Sequence, residues 1–304
     1  MEAIRYFGDP DVCLNFMANL RWPGGVECPT CGNKEVTFMA SRRVWQCRAK
    51  HPKRQFSVKV GTIFEESALP LDKWLAVIWM LANAKNGISS MEVHRAIGVT
   101  QKTAWFMLDR IRLAMQTGTF DKLSGHVEVD ETYIGGKARN MHFAKRKART
   151  TGGGGTIGKV AVMGLLERHG EFRYAILPNL GRPAMEKPIK ATIEPGTQVY
   201  TDSFGSYKAL KAQYVHNVID HAEKYVDGHV HTNSLENFWS LLKRTITGTY
   251  VSIEPFHLFR YLDEQAFRFN NRETNDAGRF TLVAASVFGK RLTYRQLIGK
   301  GEAA

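Results

Sequence analysis

Three carboxylates, Asp130, Asp202 and Glu236, are separated by 71 and 33 intervening residues. Carboxylate oxygens are hard donors, and such a set suits a pair of divalent ions that activate water on a phosphodiester. Glu236 lies in the run His231 to Arg244, where Leu235, Phe238, Trp239, Leu242 and Ile246 recur at helical spacing and predict one apolar stripe. The other face carries Asn233, Glu236, Ser240 and Lys243. An amide, a carboxylate and an ammonium thus line up over roughly three turns. That face suits a metal and a phosphate together, and equally an ordinary surface helix. The two aspartates belong to runs that read as strands. His126–Ile134 alternates and stops at Gly135-Gly136, and Gln198–Asp202 stops at Ser203-Phe204-Gly205-Ser206, so both are expected where strands hand over to loops.

A second group has softer ligands. Cys28 and Cys31 are two residues apart, fifteen residues follow, and Cys47 and His51 are three apart. That is the spacing of tetrahedral zinc held by thiolates and imidazole, with a hairpin expected over Val36–Gln46. Gln55 to Phe64 reads as a last strand. Four cysteines in 304 residues make no disulfide framework, and Cys13 falls outside the ligand spacing and reads as a buried thiol.

The chain is long enough for two or three domains. Lys and Arg outnumber Asp and Glu 42 to 29, a formal charge of +13, so a polyanionic partner is expected, with nucleic acid fitting best. No apolar run of membrane-spanning length occurs, and the start of the chain lacks a signal-peptide pattern, so a soluble, cytoplasmic protein is expected.

A short helix before Pro23-Gly24-Gly25 opens the chain. A helix capped by Asp72 follows, with Trp74, Leu75, Ile78, Leu81 and Ala82 inward, ended at Asn86-Gly87. Ser89 with Glu92 forms a capping box, Gly98-Val99 a turn, and Thr100 opens a third helix, which is the layout of a helix-turn-helix or of a plain three-helix bundle. In that helix Ala104, Met107, Leu108 and Ile111 face inward, leaving Gln101, Lys102, Thr103, Arg110 and Arg112 for a groove or for solvent. Residues 137 to 166 hold no acid, and Lys137, Arg139, Lys145, Arg146, Lys147, Arg149 and Lys159 with Gly152 to Gly155 read as a phosphate-neutralising arm or a solvated loop. From Val127 onward the order is three strands, helix, strand, helix, strand, helix. With acids on the first and fourth strands and the last helix, it is an RNase H-like mixed α/β arrangement. A helix opened by Pro255 carries Phe259, Leu262, Ala266 and Phe269 on its packing face, and the tail beyond Asn270 is basic and unassigned.

The phrases Cys28-Pro-Thr-Cys31-Gly, Gly61-Thr-Ile-Phe64, Val129-Asp130-Glu-Thr-Tyr-Ile-Gly-Gly136, Tyr200-Thr-Asp202, His231-Thr-Asn233-Ser-Leu-Glu236-Asn-Phe-Trp239-Ser-Leu-Leu-Lys243-Arg244 and Gly289-Lys-Arg-Leu-Thr-Tyr294 resemble bacterial insertion-sequence transposases with an N-terminal zinc ribbon, over nearly the whole chain. The resemblance implies a DDE-type transposase that cuts donor DNA and joins its 3′ ends to target DNA. It implies Asp130, Asp202 and a third residue as ligands of two Mg2+ (or Mn2+) ions, and zinc in the ribbon. The third ligand in this group is asparagine or glutamate, here Asn233 or Glu236. Glu236 is favoured because it is charged and precedes Lys243 by seven residues. His51 stands where a fourth cysteine is more usual. Terminal inverted repeats and target duplex are the implied partners, with a homo-oligomer assembled on DNA. Lys243 and Arg244, the Lys145-Arg146-Lys147 arm, and Gln101, Lys102 and Arg110 are the expected DNA contacts. Domains are expected at 1–68, 69–122, 123–272 and 273–304. Another RNase H-like nuclease, which cuts without joining, and an inactive DNA-binding regulator are the competing classes.

Overall fold

The computed structural model describes residues 6–116, 121–136, 158–202, 207, 213–219 and 232–300. The basic arm around Lys145, Arg146 and Lys147, and His231, lie outside them. The chain divides into two compact units, residues 1–117 with 271–304, and residues 118–270.

In the first unit, α1 (Pro10–Arg21) is capped by Asp9, whose carboxylate accepts the Asp11 amide at 2.8 Å. Strands β1 (Val36–Met39), β2 (Val44–Cys47) and β3 (Gln55–Phe56) form an antiparallel sheet in that order. The expected hairpin is there. The expected long strand over Gln55–Phe64 is not: pairing stops at Phe56, and successive turns bury Val58, Ile63 and Phe64 in the core. The segment is apolar because it is covered on all sides, and periodicity alone does not separate that case from a strand.

Helices α2 (Leu71–Asn83), α3 (Ser90–Ile97) and α4 (Gln101–Ala114) follow. Pro70 holds the cap position of α2, with Asp72 in its first turn. The Ser89–Glu92 capping box forms, Gly98 adopts the left-handed conformation (φ +63°) that ends α3, and Thr100 caps α4, so the helix-turn-helix layout is built as its punctuation requires.

In the second unit, β4 (His126–Ile134), β5 (Val160–Glu167), β6 (Phe172–Leu177), β7 (Gln198–Asp202) and β8 (Val215–Ile219) form one mixed sheet of order β6-β5-β4-β7-β8. β4, β5 and β6 pair antiparallel, while β7 and β8 run parallel to β4. Helix α5 (Arg182–Thr192) connects β6 to β7. It puts Met185 and Ile189 on one face of the sheet, against Val127, Val129, Met163 and Val199. The opposite face carries α6 (Asn233–Thr245) and α7 (Leu258–Asn270), where Leu235, Phe238, Trp239, Leu242, Leu262 and Ala266 pack on Val162, Leu166 and Phe172. β5 is buried on both faces, which is why it reads as a continuous apolar run. The fold is the RNase H-like arrangement expected. Beyond it, α8 (Asp276–Ala285) and α9 (Tyr294–Leu297) belong to the first unit, where Phe280 stacks on Phe16 at 5.5 Å.

Candidate active site and metal centre

Strand alternation divides the acids of β4 between the two faces of the sheet. Glu128 and Asp130 face α6, and Glu131 faces the side on which Tyr207 is buried. Asp130 stands mid-strand rather than at the strand end. The parallel pairing of β4 with β7 ends at Glu128 opposite Tyr200. Asp130 and Asp202 each lie two residues beyond that last pair on these neighbouring strands.

Asp130 feels the carboxylates around it. Burial, and then the charge of Asp202, push Asp130 up to about 6, with Glu236 adding to the effect and a hydrogen bond from Trp239 opposing it. Burial also raises Glu131 to about 7; the Tyr207 hydroxyl, donating to its Oε2 at 2.5 Å, works against this, while Asp202 and Asp130 add to it. Glu236, Lys243 and Arg244 lie exposed on α6 as its polar face requires, and Asn233 is its exposed first residue.

Three features that hold the site escape the sequence pattern. Glu128 is fully buried, accepting the Leu235 amide at 3.0 Å and the Arg168 guanidinium at 2.9 Å. The Trp239 indole N–H donates to Asp130 Oδ2 at 3.0 Å. Gly164, opposite Asp130 on β5, has no room for a side chain: a Cβ there would lie 2.7 Å from Trp239 Cζ2 and 2.8 Å from Leu235 Cδ1. The even-numbered alternation of acids along β4 was the one signal in the sequence for Glu128.

In the first unit, one ligand atom from each of Cys28, Cys31, Cys47 and His51 falls in a group spanning 4.8 Å. Cys31 Sγ and Cys47 Sγ are 3.7 Å apart, and Cys28 Sγ and His51 Nε2 3.4 Å. A tetrahedron with Zn–S of about 2.3 Å and Zn–N of about 2.05 Å has edges of about 3.8 and 3.5 Å, which these two separations match, and the donor set suits zinc. His51 Nδ1 lies 2.6 Å from the Pro52 carbonyl. A carbonyl only accepts, so Nδ1 carries the proton and Nε2 is left free to face the ion. Cys13 is buried elsewhere, its thiol donating to the Phe7 carbonyl at 3.3 Å.

Of the groups expected to meet DNA from α4, Gln101 and Lys102 are exposed. The Gln101 amide donates to Ser90 Oγ at 2.8 Å, and Lys102 sits over the Tyr294 ring at 4.8 Å. Arg110 corrects the expectation. It is 6% exposed, and its guanidinium donates to the carbonyls of Ile63, Glu65 and Leu292 at 2.9 to 3.0 Å. Arg112 is buried beside Asp109 at 3.2 Å. Both are core groups that satisfy carbonyls and a carboxylate, and neither faces a groove.

Residues 122–270 match the ISXO2-like transposase domain, and residues 8–49 match the transposase zinc-ribbon domain. A protein of Halobacterium salinarum described as an uncharacterized protein in transposable element ISH50 is 30% identical over 260 residues, covering 81% of this chain and 86% of the relative. The chain belongs to the ISXO2-like transposase family. An uncharacterized transposase-like protein of Haemophilus influenzae is 32% identical over 99 residues, which span 32% of the present chain and 80% of that protein. The family places this transposase among DNA-binding proteins, and the Cys3His cluster among zinc ribbons. No helix among the described residues is long and apolar enough to cross a membrane.

Proposed function

We propose that this transposase cuts the ends of its insertion sequence and joins their 3′ ends to target DNA, with Asp130, Asp202 and Glu236 holding two Mg2+ or Mn2+ ions. The observation that carries this reading is the shared field of the three carboxylates. They come from β4, β7 and α6, and Asp130 is raised first by burial and then by the charges of the other two. Neighbouring negative charges in a part-buried site are costly, and divalent cations neutralise them. When bound, the ions supply a hydroxyl nucleophile at neutral pH and neutralise the leaving oxygen.

The side chains do the rest. Asp130, on the central strand, would be the shared ligand, with Asp202 serving one ion and Glu236 the other. Glu236 is preferred to Asn233 as third ligand because its charge reaches Asp130. Lys243, two turns beyond Glu236 on the same exposed face, and Arg244 take backbone phosphates. Gln101 and Lys102, at the exposed start of α4, enter a groove of double-stranded DNA. The Lys145-Arg146-Lys147 arm joins the phosphate contacts on its sequence alone, and assembly on paired inverted repeats makes the active form a homo-oligomer. Domain limits of 1–68, 69–122, 123–272 and 273–304 go with this reading.

A labelled duplex carrying the element's flanking repeat, incubated with the protein, Mg2+ and a target plasmid, tests it. Cleavage and joining are expected from the native chain. With Asp130→Asn or Asp202→Asn both are expected to fall to background while DNA is still bound. Cleavage with no joining would make the protein a nuclease, and binding with neither would make it a regulator.

A further inference from the structure

We propose that Trp239 is a positioning residue for Asp130, and that Gly164 supplies the space in which it works; this deepens, and rests on, the metal-binding reading above. Trp239 belongs to the apolar stripe of α6, a place phenylalanine would fill equally well. What the stripe does not need is the indole N–H. That group is a donor only, and it is spent on Asp130 Oδ2 at 3.0 Å. One oxygen of the carboxylate is thereby fixed, and with it the orientation of the group.

The indole is itself held. It is buried, lies edge-on to Phe172 at 5.9 Å and to Phe238 at 5.3 Å, and passes over Gly164, where an added Cβ would come within 2.7 Å of Cζ2. Gly164 is paired with Asp130 across β4 and β5, so the missing side chain falls beside the carboxylate that the indole must reach. The backbone of Gly164 is ordinary strand, so close approach is the need that glycine meets here. A ligand carboxylate oriented by a packed donor binds its ion better than one free to rotate, and losing such a donor typically costs about 10- to 100-fold in affinity.

Mn2+ binding to the full-length, zinc-replete protein, followed by electron paramagnetic resonance, is the test, with circular dichroism as the check on folding. Trp239→Phe is expected to weaken Mn2+ binding by about 10-fold or more, and cleavage at saturating Mn2+ to recover much of the native rate. Gly164→Ala keeps the donor but displaces it, and is expected to weaken binding in the same direction; it decides the matter alone if Trp239→Phe does not fold. Native affinity in a folded Trp239→Phe, or in Gly164→Ala when that variant decides, overturns the positioning role, and loss of the site in Asp130→Asn in that same experiment leaves the metal reading standing. Mn2+ binding unchanged in Asp130→Asn would instead remove the metal reading, and this inference with it.

Discussion

The buried carboxylate of Glu128 accepts the backbone amide of Leu235, at 3.0 Å, beside the Thr232 carbonyl at 3.1 Å, and so supplies the side-chain cap that the N-cap residue does not. Thr232 makes no side-chain cap bond, and the acceptor comes from a strand 107 residues away in sequence. Two residues later on β4, Asp130 accepts the indole of Trp239, four residues later on α6. Two steps along a strand advance about 6.6 Å. Four along a helix advance about 6.0 Å. The near match lets α6 run along β4 with both anchors made, and it fixes the turn that presents Glu236.

Removing the first anchor should loosen the helix start. Glu128→Ala takes an acceptor from both Leu235 and the Arg168 guanidinium in a buried setting, and is expected to cost about 3 kcal/mol or more. Hydrogen exchange at the Leu235 amide should speed up in step with that loss. Glu128→Gln keeps an acceptor oxygen and should lose less. Unchanged exchange in the alanine variant would mean that the cap is made by another group.

Asn233 and Glu236 are separable by substitution. Glu236→Gln is expected to abolish strand transfer, and Asn233→Ala to reduce it, with both variants binding DNA as the native chain does. The reverse order of severity would give Asn233 the third ligand position and leave Glu236 a supporting role.

One zinc per chain is expected by metal analysis, and Cys28→Ser should lose it. Chelation should open the segment around β1, β2 and β3 first, because metal binding supplies folding energy to so small a sheet. Cys13 should behave differently from the ribbon thiols. Burial raises its thiol from 9.0 to about 11, so the folded state holds that proton more tightly than the unfolded chain does. Its contribution to stability is therefore complete below pH about 9 and is lost as pH rises through about 11. Iodoacetamide at pH 8 should leave it unlabelled until the chain unfolds.

Basic residues on α4 and α6 should divide into two kinds. Arg110→Ala strips three carbonyls of their buried donor and is expected to cost about 3 kcal/mol or more in urea unfolding. Lys243→Ala should leave stability within about 0.5 kcal/mol. It should weaken binding to all DNA sequences alike and lower the salt slope by about one charge. A stable Arg110→Ala that binds DNA poorly would return that side chain to the DNA-facing set.

Sequence alone determined what depends on neighbours a few residues away. The capping box of Ser89 and Glu92, the left-handed turn at Gly98, the apolar stripe from Leu235 to Leu242 and the Cys28-Pro-Thr-Cys31 knuckle are local, because hydrogen bonds and helical period act over three or four residues. Its misses are long-range. Helical period turns Arg110 outward, yet carbonyls 47 and 182 residues away surround it. Gln55 to Phe64 was apolar enough for a strand, but became turns because the core closes over it from several directions. Only the tertiary structure decided which acid on β4 would meet Leu235, which would meet Trp239, and that Gly164 would stand where the indole crosses. Those pairings follow from strand register and from the path of α6 over the sheet, and neither is written in any one stretch of chain.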